Sequence, residues 1–275
     1  MTSAVPARPS RPVAQRRPRI GPRLSAINIT TWRLVALAVF IAIWWVLSYF
    51  AGRNFVPTPW QTAQAAVKVI GDGTVVTAMG DSLSVYLTGY LLGALVAIPL
   101  GLLMGGIRVF GATMEIYVNA FTSTPRVAFI PLIIIFLGLG FEAKVTIVFL
   151  GAVMPILINT YAGVLNSDGE LIEMARSAGA RDSQIFRKIM LPGAATYIVA
   201  GLRLGAAIGL INTVVAELYT AVRGLGGLLS VYGNTFQMAP YFVVVLCFGV
   251  IGVSISTALK MIERRMEHWR YGASS

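Results

Sequence analysis

The residues that could carry out covalent or metal chemistry are few in this chain. It has one cysteine, Cys247, and one histidine, His268, so an intrachain disulfide, a thiolate metal cluster and a multi-histidine metal site are excluded. Cys247 lies inside an apolar run and is predicted to be an inert buried thiol. No glycine-lysine-serine or glycine-lysine-threonine occurs, which excludes a Walker A phosphate loop. The sequence therefore predicts no metal site, no bound cofactor and no catalytic residue.

The chemistry that remains is ionic and polar, in side chains embedded in apolar runs. Arg126, Arg203 and Glu217 are the ionisable residues of this kind, and Asn159 and Asn212 are the uncharged ones. An unpaired arginine at the centre of a membrane helix costs about 2.5 to 3.5 kcal/mol, so each arginine should face the protein interior or reach an edge of the membrane. We interpret the five residues as candidates for lining a translocation pathway.

Each of these residues also has a structural interpretation. Arg203 either forms an ion pair or carbonyl clamp, or provides a positive patch that favours passage of an anion. Arg126 follows Pro125, whose ring breaks a helix, so freed backbone carbonyls are its expected partners. Glu217 is either an interfacial cap or part of an outer gate. Interhelical hydrogen bonds would explain the two asparagines equally well.

The composition indicates that membrane-spanning helices position these side chains. Of the 275 residues, 56% are hydrophobic and 12% are charged, and the mean hydropathy is +0.75, whereas a soluble domain carries about a quarter charged residues. Apolar runs long enough to cross a ~30 Å hydrocarbon core are predicted at 34–52, 82–107, 116–138, 145–167, 193–218 and from 240 onward. The predicted fold class is an all-α membrane protein with a domain of six transmembrane helices over residues 34–262.

The basic residues outside these runs are distributed unevenly. If the N-terminus is inside, 16 of the 22 lysines and arginines fall on the inner side and four on the outer side, as is typical of cytoplasmic segments. Both termini are therefore predicted to be cytoplasmic, with His268 and Trp269 at the inner interface. Because the basic excess lies at the ends of apolar runs, no nucleic acid partner is predicted.

The two ends of the chain are predicted to lie outside the membrane domain. Residues 1–33 hold seven arginines and five prolines and no acidic residue, which predicts a disordered basic cytoplasmic tail. A mitochondrial-type transit peptide is the alternative, but the prolines oppose an amphipathic helix. Residues 263–275 are predicted to form a C-terminal cytoplasmic tail.

One segment between spans, residues 168–192, is polar, with four acidic and four basic side chains. Apolar residues recur at helical spacing before and after Gly179, which predicts a helix, a left-handed turn at Gly179 and a second helix capped by Asp182 or Ser183. Leu191 and Pro192 are predicted to close the segment where the fifth span begins. Such an element suits a groove on a partner protein, or an interfacial helix pair that covers the membrane surface.

The same segment resembles a known family. Its residues are similar to the EAA-x3-G-x9-I-x-L-P loop of the inner-membrane permeases of ABC importers, with Met174 in place of the first alanine, at Glu173, Ala175, Gly179, Ile189, Leu191 and Pro192. Further runs resemble the nitrate/taurine/sulfonate branch of those permeases: VPTP at 56–59, TPRVAFIPLIIIFLGLG at 124–140, GLRLG at 201–205, VAEL at 215–218 and RGLGGLL at 223–229. The likeness covers nearly everything after residue 50.

The resemblance implies a type I ABC importer permease that imports a small anionic solute. The ATPase-coupling residues that it implies are Glu173, Ala175, Gly179, Asp182, Phe186, Ile189, Leu191 and Pro192. A dimer of separate ABC ATPase subunits, which bind ATP and Mg, would contact them. The implied partners also include a second permease chain in a homodimer and a periplasmic or lipid-anchored binding protein, and the implied location is the bacterial cytoplasmic (inner) membrane.

Two other classes of function are weighed against this one. An ion-coupled secondary carrier needs titratable groups or ion ligands inside the membrane, and acidic residues are nearly absent from the spans. A membrane scaffold that transports nothing would not need the spacing of the EAA-type loop. The sequence therefore favours the permease of an ATP-driven importer.

Overall fold

The computed structural model describes residues 29–52 and 55–271, and in those residues it contains helices and turns without strands. The helices are α1 (Ile29–Ala51), α2 (Pro59–Gly71), α3 (Thr74–Gly106), α4 (Arg108–Ser123), α5 (Ile130–Leu137), α6 (Phe141–Leu165), α7 (Gly169–Ser177), α8 (Asp182–Ile185), α9 (Leu191–Thr220), α10 (Leu225–Asn234) and α11 (Met238–Tyr271). A 3-10 turn, Arg126–Phe129, precedes α5, and a π-helical turn, Phe186–Met190, precedes α9.

The predicted all-α membrane fold is confirmed in these residues. Five helices, namely α1, α3, α6, α11 and the rod from α8 through α9, are long and apolar enough to cross a membrane. A sixth span exists if α4 and the segment Arg126–Leu137, which are bent by 82° to each other, are taken together. The predicted third span, 116–138, is therefore a broken element. Pro125 lacks an amide proton and forces Thr124 into an extended conformation, with φ −83° and ψ 130°, so the helix cannot continue.

Several boundaries differ from the predicted ones because local caps outweigh the apolar pattern. Helix α3 begins at Thr74, ahead of the predicted Ser82, where Asp72 Oδ1 accepts a hydrogen bond from the Thr74 N–H at 2.9 Å. The charge of Asp81 does not end the helix, because its side chain is only half-buried.

The ends of the membrane domain also differ from prediction. Helix α1 begins at Ile29, inside the predicted tail of residues 1–33, whose first 28 residues lie outside the described part. Helix α11 runs to Tyr271 and so includes most of the predicted C-terminal tail, 263–275. The side chains of His268 and Trp269, which were predicted to lie at the inner interface, are outside the described part as well.

The centre of the bundle is α6, which packs between α3 and α9. Small residues recur every fourth position on the α3 face that meets α6, at Gly89, Gly93, Ala97, Gly101 and Gly105. A Cβ atom at Gly89 would lie 2.8 Å from the carbonyl oxygen of Val145, and one at Gly205 of α9 would lie 3.2 Å from that of Ala152. These contacts show that the glycines allow close helix packing, as small residues do between membrane helices.

Helix α1 is peripheral and is held by its polar residues. Only 6% of its most apolar window is buried. The Trp44 Nε1–H donates to the carbonyl of Pro57 at 3.0 Å, and the Ser48 hydroxyl donates to that of Val56 at 2.7 Å. Helix α2 contributes Val69 to a buried cluster with Val243 of α11, so it packs beside a candidate span.

Candidate functional site

The polar segment 168–192 begins with a well-capped helix. Asp168 Oδ1 accepts hydrogen bonds from the N–H groups of Glu170 and Leu171 at 3.0 and 3.2 Å. These bonds satisfy donors that a helix N-terminus otherwise leaves free, and the carboxylate is favoured by the helix dipole. The cap fixes the position of α7.

The predicted left-handed turn at Gly179 is present, with φ +78°. The Gly179 N–H donates to the carbonyl of Arg176 at 2.9 Å, and the Ala180 N–H donates to that of Ala175 at 3.0 Å. This pair of bonds is a Schellman motif, which satisfies the last carbonyls of a helix and normally requires glycine in the left-handed position. Gly179 therefore sets the angle between α7 and the chain that follows.

The second predicted helix does not end at Pro192. Asp182 or Ser183 was predicted as its cap, but Asp182 is its first helical residue and the capping position is Arg181, whose N–H donates to the side chain of Gln184 at 2.9 Å. From there α8, the π-helical turn and α9 form one continuous rod. The Leu191 N–H donates to the carbonyl of Phe186, five residues back. This wider turn immediately precedes Pro192, which has no N–H to donate, so the proline is accommodated within the rod.

The predicted coupling residues divide into an exposed group and an anchored group. Glu173, Gly179, Asp182, Leu191 and Pro192 are exposed, and Ala175, Phe186 and Ile189 are half-buried. Ile185, which was not singled out, is buried, and the Phe186 ring packs 3.0 Å from where a Cβ of Gly106 would lie at the end of α3. On α7, Leu171 is 46% and Met174 63% exposed. The segment thus combines a fixed base with an exposed face that is partly apolar.

Arg203 lies on α9 and forms an ion pair with Glu263 of α11. Sequence reasoning missed this partner, because Glu263 was assigned to the C-terminal tail. The continuation of α11 through that tail brings the carboxylate to the guanidinium. The ion pair favours the structural role of Arg203 over the role in anion passage.

Arg126 finds its partners on α6. Its Nη1 donates to the carbonyl of Gly151 at 3.1 Å and, at 3.5 Å, to that of Leu150. The Gly151 carbonyl is free because Pro155, four residues later, has no N–H to donate to it. Backbone carbonyls freed by Pro125 were the expected partners of Arg126. Its partner is a backbone carbonyl, as expected, but the proline that frees it is Pro155. A proline inside a predicted helix therefore indicates, from the sequence alone, that the carbonyl four residues earlier is free to accept another donor.

Glu217 is fully buried at the C-terminal end of α9. Its carboxylate accepts hydrogen bonds from the Ser82 hydroxyl of α3 at 2.8 and 2.9 Å and from the Gly226 N–H of α10 at 2.8 Å. The Ser82 oxygen in turn accepts from the Leu225 N–H at 2.8 Å. A charged acceptor with several donors is the arrangement that a buried carboxylate requires. Glu217 therefore caps α10 and joins three helices.

Two further residues of this region were missed by sequence reasoning. Lys144 of α6 is buried, and its Nζ donates to the carbonyl of Arg223 at 3.0 Å. Lys144 and Asp81, with Glu217 and Arg223, help to line a cavity of about 280 Å³ at this end of the bundle. Lys144 is one of the four basic residues that the charge count places on the outer side, and this indicated its position. Nothing nearby in the chain indicates its partner.

The two asparagines bond mainly to their own helices. The Asn159 amide donates to the carbonyl of Pro155 at 2.7 Å, and the Asn212 amide donates to that of Ile208 at 2.9 Å. The Asn212 side chain also contacts Gly151, where a Cβ would overlap it. Arg126 and Asn212 thus both reach Gly151, whereas Arg203 lies near the middle of α9 and Glu217 near its C-terminal end. Within the described residues no cluster of three or more His, Cys, Asp or Glu residues is placed to hold a metal ion.

Comparisons with known proteins agree with this arrangement. Residues 97–268 match the family described as "Binding-protein-dependent transport system inner membrane component". The chain is 32% identical over 248 residues to a probable ABC transporter permease protein of Brucella abortus, which covers 90% of this chain and 98% of that protein. It is 26% identical to the taurine transport system permease protein of Escherichia coli, over 87% of this chain and 90% of that protein.

The fold has a solved counterpart. A chain of the MetNI methionine ABC transporter, determined in inward-facing conformations, matches with a TM-score of 0.59 and 22% identity, and covers 68% of this chain and 93% of its own length. At this identity the likeness concerns the fold alone. The family match covers more than half of the chain, and the relatives are permease subunits, which are not enzymes themselves. The chain therefore belongs to the binding-protein-dependent transport system inner membrane components, the multi-pass permease subunits of ABC importers.

Proposed function

We propose that this chain forms the translocation pathway of an ATP-driven importer for a small anionic solute and is driven through residues 170–190. A binding protein delivers the solute on the outer side, and a separate ATPase dimer, which holds ATP and Mg, docks on the cytoplasmic side. A second copy of the chain completes the pathway as a homodimer. Both termini are cytoplasmic, in the bacterial inner membrane.

The observation that carries this proposal is the exposed face of α7 on a fixed base. Leu171 and Met174 remain exposed, although α7 is capped at Asp168 and closed by the Schellman motif at Gly179. An apolar face held in one orientation suits a groove on a partner better than a mobile loop does, because less conformational entropy is lost on binding. The continuity of α8 with α9 supports transmission, since a displacement of α7 acts on a rod that enters the membrane.

The proposal of an anionic solute is supported by two observations. The relative from Escherichia coli is named for taurine transport, and taurine carries a sulfonate. Within the bundle, Arg126 brings a guanidinium to the middle of α6, at Gly151. Arg203 contributes less to this argument because Glu263 neutralises it.

The ion-coupled carrier and the scaffold are less well supported. A carrier would use a titratable group that is free to exchange a proton or ion. Glu217, the acid that is buried among the described residues of the spans, is instead bonded to Ser82 and Gly226. A scaffold would not require the exposed face of α7 to be fixed so firmly.

The test of coupling compares two exposed methionines. Met174→Glu places a charge on the face of α7, and Met261→Glu is the matched control, because Met261 of α11 is 65% exposed against 63% for Met174. We expect Met174→Glu to weaken ATPase binding about tenfold or more, as the loss of a well-packed apolar contact does, and to lower uptake in proportion. Equal ATPase recovery with both variants in mild-detergent purification from native membranes would argue against docking at α7.

The orientation is tested separately. A reporter that is active only in the cytoplasm is fused after the last residue, and one that is active only outside is fused in parallel. We expect activity from the cytoplasmic reporter alone, given the 16 to four charge asymmetry. Activity of the outer reporter at this position would contradict the proposed topology.

A further inference from the structure

Arg126 uses only part of its hydrogen-bonding capacity. Its Nη1 donates to the carbonyls of Gly151 and Leu150. Within the part of the chain that the structure describes, Nη2 and Nε have no hydrogen-bond partner, and no carboxylate lies within 4.0 Å of the guanidinium. A guanidinium has five N–H donors in a planar fork, so three of them are available.

Four other buried or half-buried charged groups inside the spans already have partners. Arg203 is paired with Glu263. Glu217 is bonded to Ser82 and Gly226, and Lys144 donates to the carbonyl of Arg223. Lys144 also has a carbonyl as its hydrogen-bond partner, but it lines the same cavity as the carboxylates of Asp81 and Glu217. The Arg126 guanidinium has carbonyls as its partners and no carboxylate within 4.0 Å among the described residues. Carbonyl dipoles compensate a full charge only in part, which leaves Arg126 able to attract an anion.

The guanidinium is also held in a defined place. It follows the break between α4 and α5, where the two segments bend by 82°. Its acceptor, the Gly151 carbonyl, belongs to α6, the most buried of the candidate spans. That carbonyl stays available because Pro155 cannot occupy it, and the Asn212 side chain packs beside the same residue. Arg126 is half-buried, so the group is fixed on one side and accessible on the other.

We propose that Arg126 is the anion-binding group of the pathway, with its free N–H groups receiving one oxyanion of the sulfonate class. This inference rests on the proposed function, because it needs the chain to line a pathway. The fork of an arginine matches two oxygens of a tetrahedral or planar oxyanion. The carbonyls of Gly151 and Leu150 keep one arm of the fork occupied, so binding is weak enough for the solute to move on.

Because the chain has a single cysteine, replacing it leaves one introduced thiol as the site of reaction. In a Cys247→Ala background, Val127→Cys places a thiol next to Arg126, at a position that is 52% exposed. The complete transporter in its membrane is treated with two thiol reagents of similar size, the anionic sulfonatoethyl and the cationic trimethylammonioethyl methanethiosulfonate. The ratio of the anionic to the cationic reaction rate reports the local potential.

We expect Arg126→Gln to lower this ratio about fivefold, the effect of removing one charge at a distance of several ångströms in a water-filled site. Arg126→Lys should largely keep the ratio. The control, Arg203→Gln combined with Glu263→Gln, removes both members of an ion pair, leaves the net charge unchanged and should leave the ratio unchanged. If Arg126→Gln fails to assemble, the protein with Arg126 intact still gives an answer, because added salt should lower the ratio by screening.

Two results would overturn the inference. One is a ratio that does not change with Arg126→Gln in an assembled protein or, where that variant fails to assemble, does not change with salt. The other is a thiol at position 127 that reacts with neither reagent, which would place this face against lipid or protein. ATPase copurification is measured on the same preparations. Loss of the ATPase with an intact ratio would contradict the proposed function while leaving the anion site standing, so the two failures are distinguishable.

Discussion

Replacement of Gly179 by valine separates a backbone effect from a packing effect. Gly179 has φ +78°, and nothing lies within 4 Å of where its Cβ would be, so a side chain meets no neighbour there. The cost is then that of placing a β-branched residue in the left-handed region, about 1 to 2 kcal/mol. A change of that size alters the population of the native turn by a factor of about 5 to 30. We expect Gly179→Val to insert and dimerise normally but to lose substrate-stimulated ATP hydrolysis and uptake together.

The assay is ATP hydrolysis and solute uptake by the transporter reconstituted in liposomes with its binding protein. Gly169→Val is the matched control, because Gly169 lies at the other end of α7, has equally open space around its Cβ position and has no positive φ. Gly179→Asn should retain most of the activity that Gly179→Val loses, since asparagine tolerates the left-handed conformation. If Gly179→Val keeps full coupled transport, or if Gly169→Val is impaired equally, the angle at Gly179 has no role in coupling.

Two further predictions concern the bundle itself. Glu217→Ala removes a buried acceptor and leaves the Gly226 N–H unsatisfied. We therefore expect a loss of about 1 to 3 kcal/mol in stability and a lower Tm in detergent. An unchanged Tm would show that the buried cluster is dispensable. Gly89→Ala should lower the Tm, because its Cβ would lie 2.8 Å from the Val145 carbonyl oxygen. Gly80→Ala in the same helix has open space and should raise stability by up to about 1 kcal/mol. Equal effects of the two substitutions would contradict the close packing of α3 on α6.

The parts of the fold that depend on local pattern could be predicted from the sequence. The apolar runs marked the spans. Gly179 was recognisable as a left-handed turn because it follows a short amphipathic helix within a polar segment. In each case the deciding interaction lies within a few residues of the chain, or repeats with a helical period.

The parts that depend on distant partners could not be predicted. The bonds from Ser82 to Glu217 and from Arg203 to Glu263 join residues 135 and 60 positions apart, and no local pattern specifies either pair. The continuity of α8 with α9 was missed for a different reason. Pro192 has the appearance of a helix start, and the π-helical turn that lets the rod pass through it has no simple sequence signal.

The central claim is that α7 docks on the ATPase, and a photo-cross-linker placed at Met174 in the intact membrane tests it most directly. Because that side chain is exposed on the polar segment, we predict an adduct with the ATPase subunit. The same cross-linker at Val67, which is exposed on α2 on the proposed outer side, should give no such adduct. Cross-linking from Met174 to lipid alone, or equal ATPase adducts from both positions, would contradict the account.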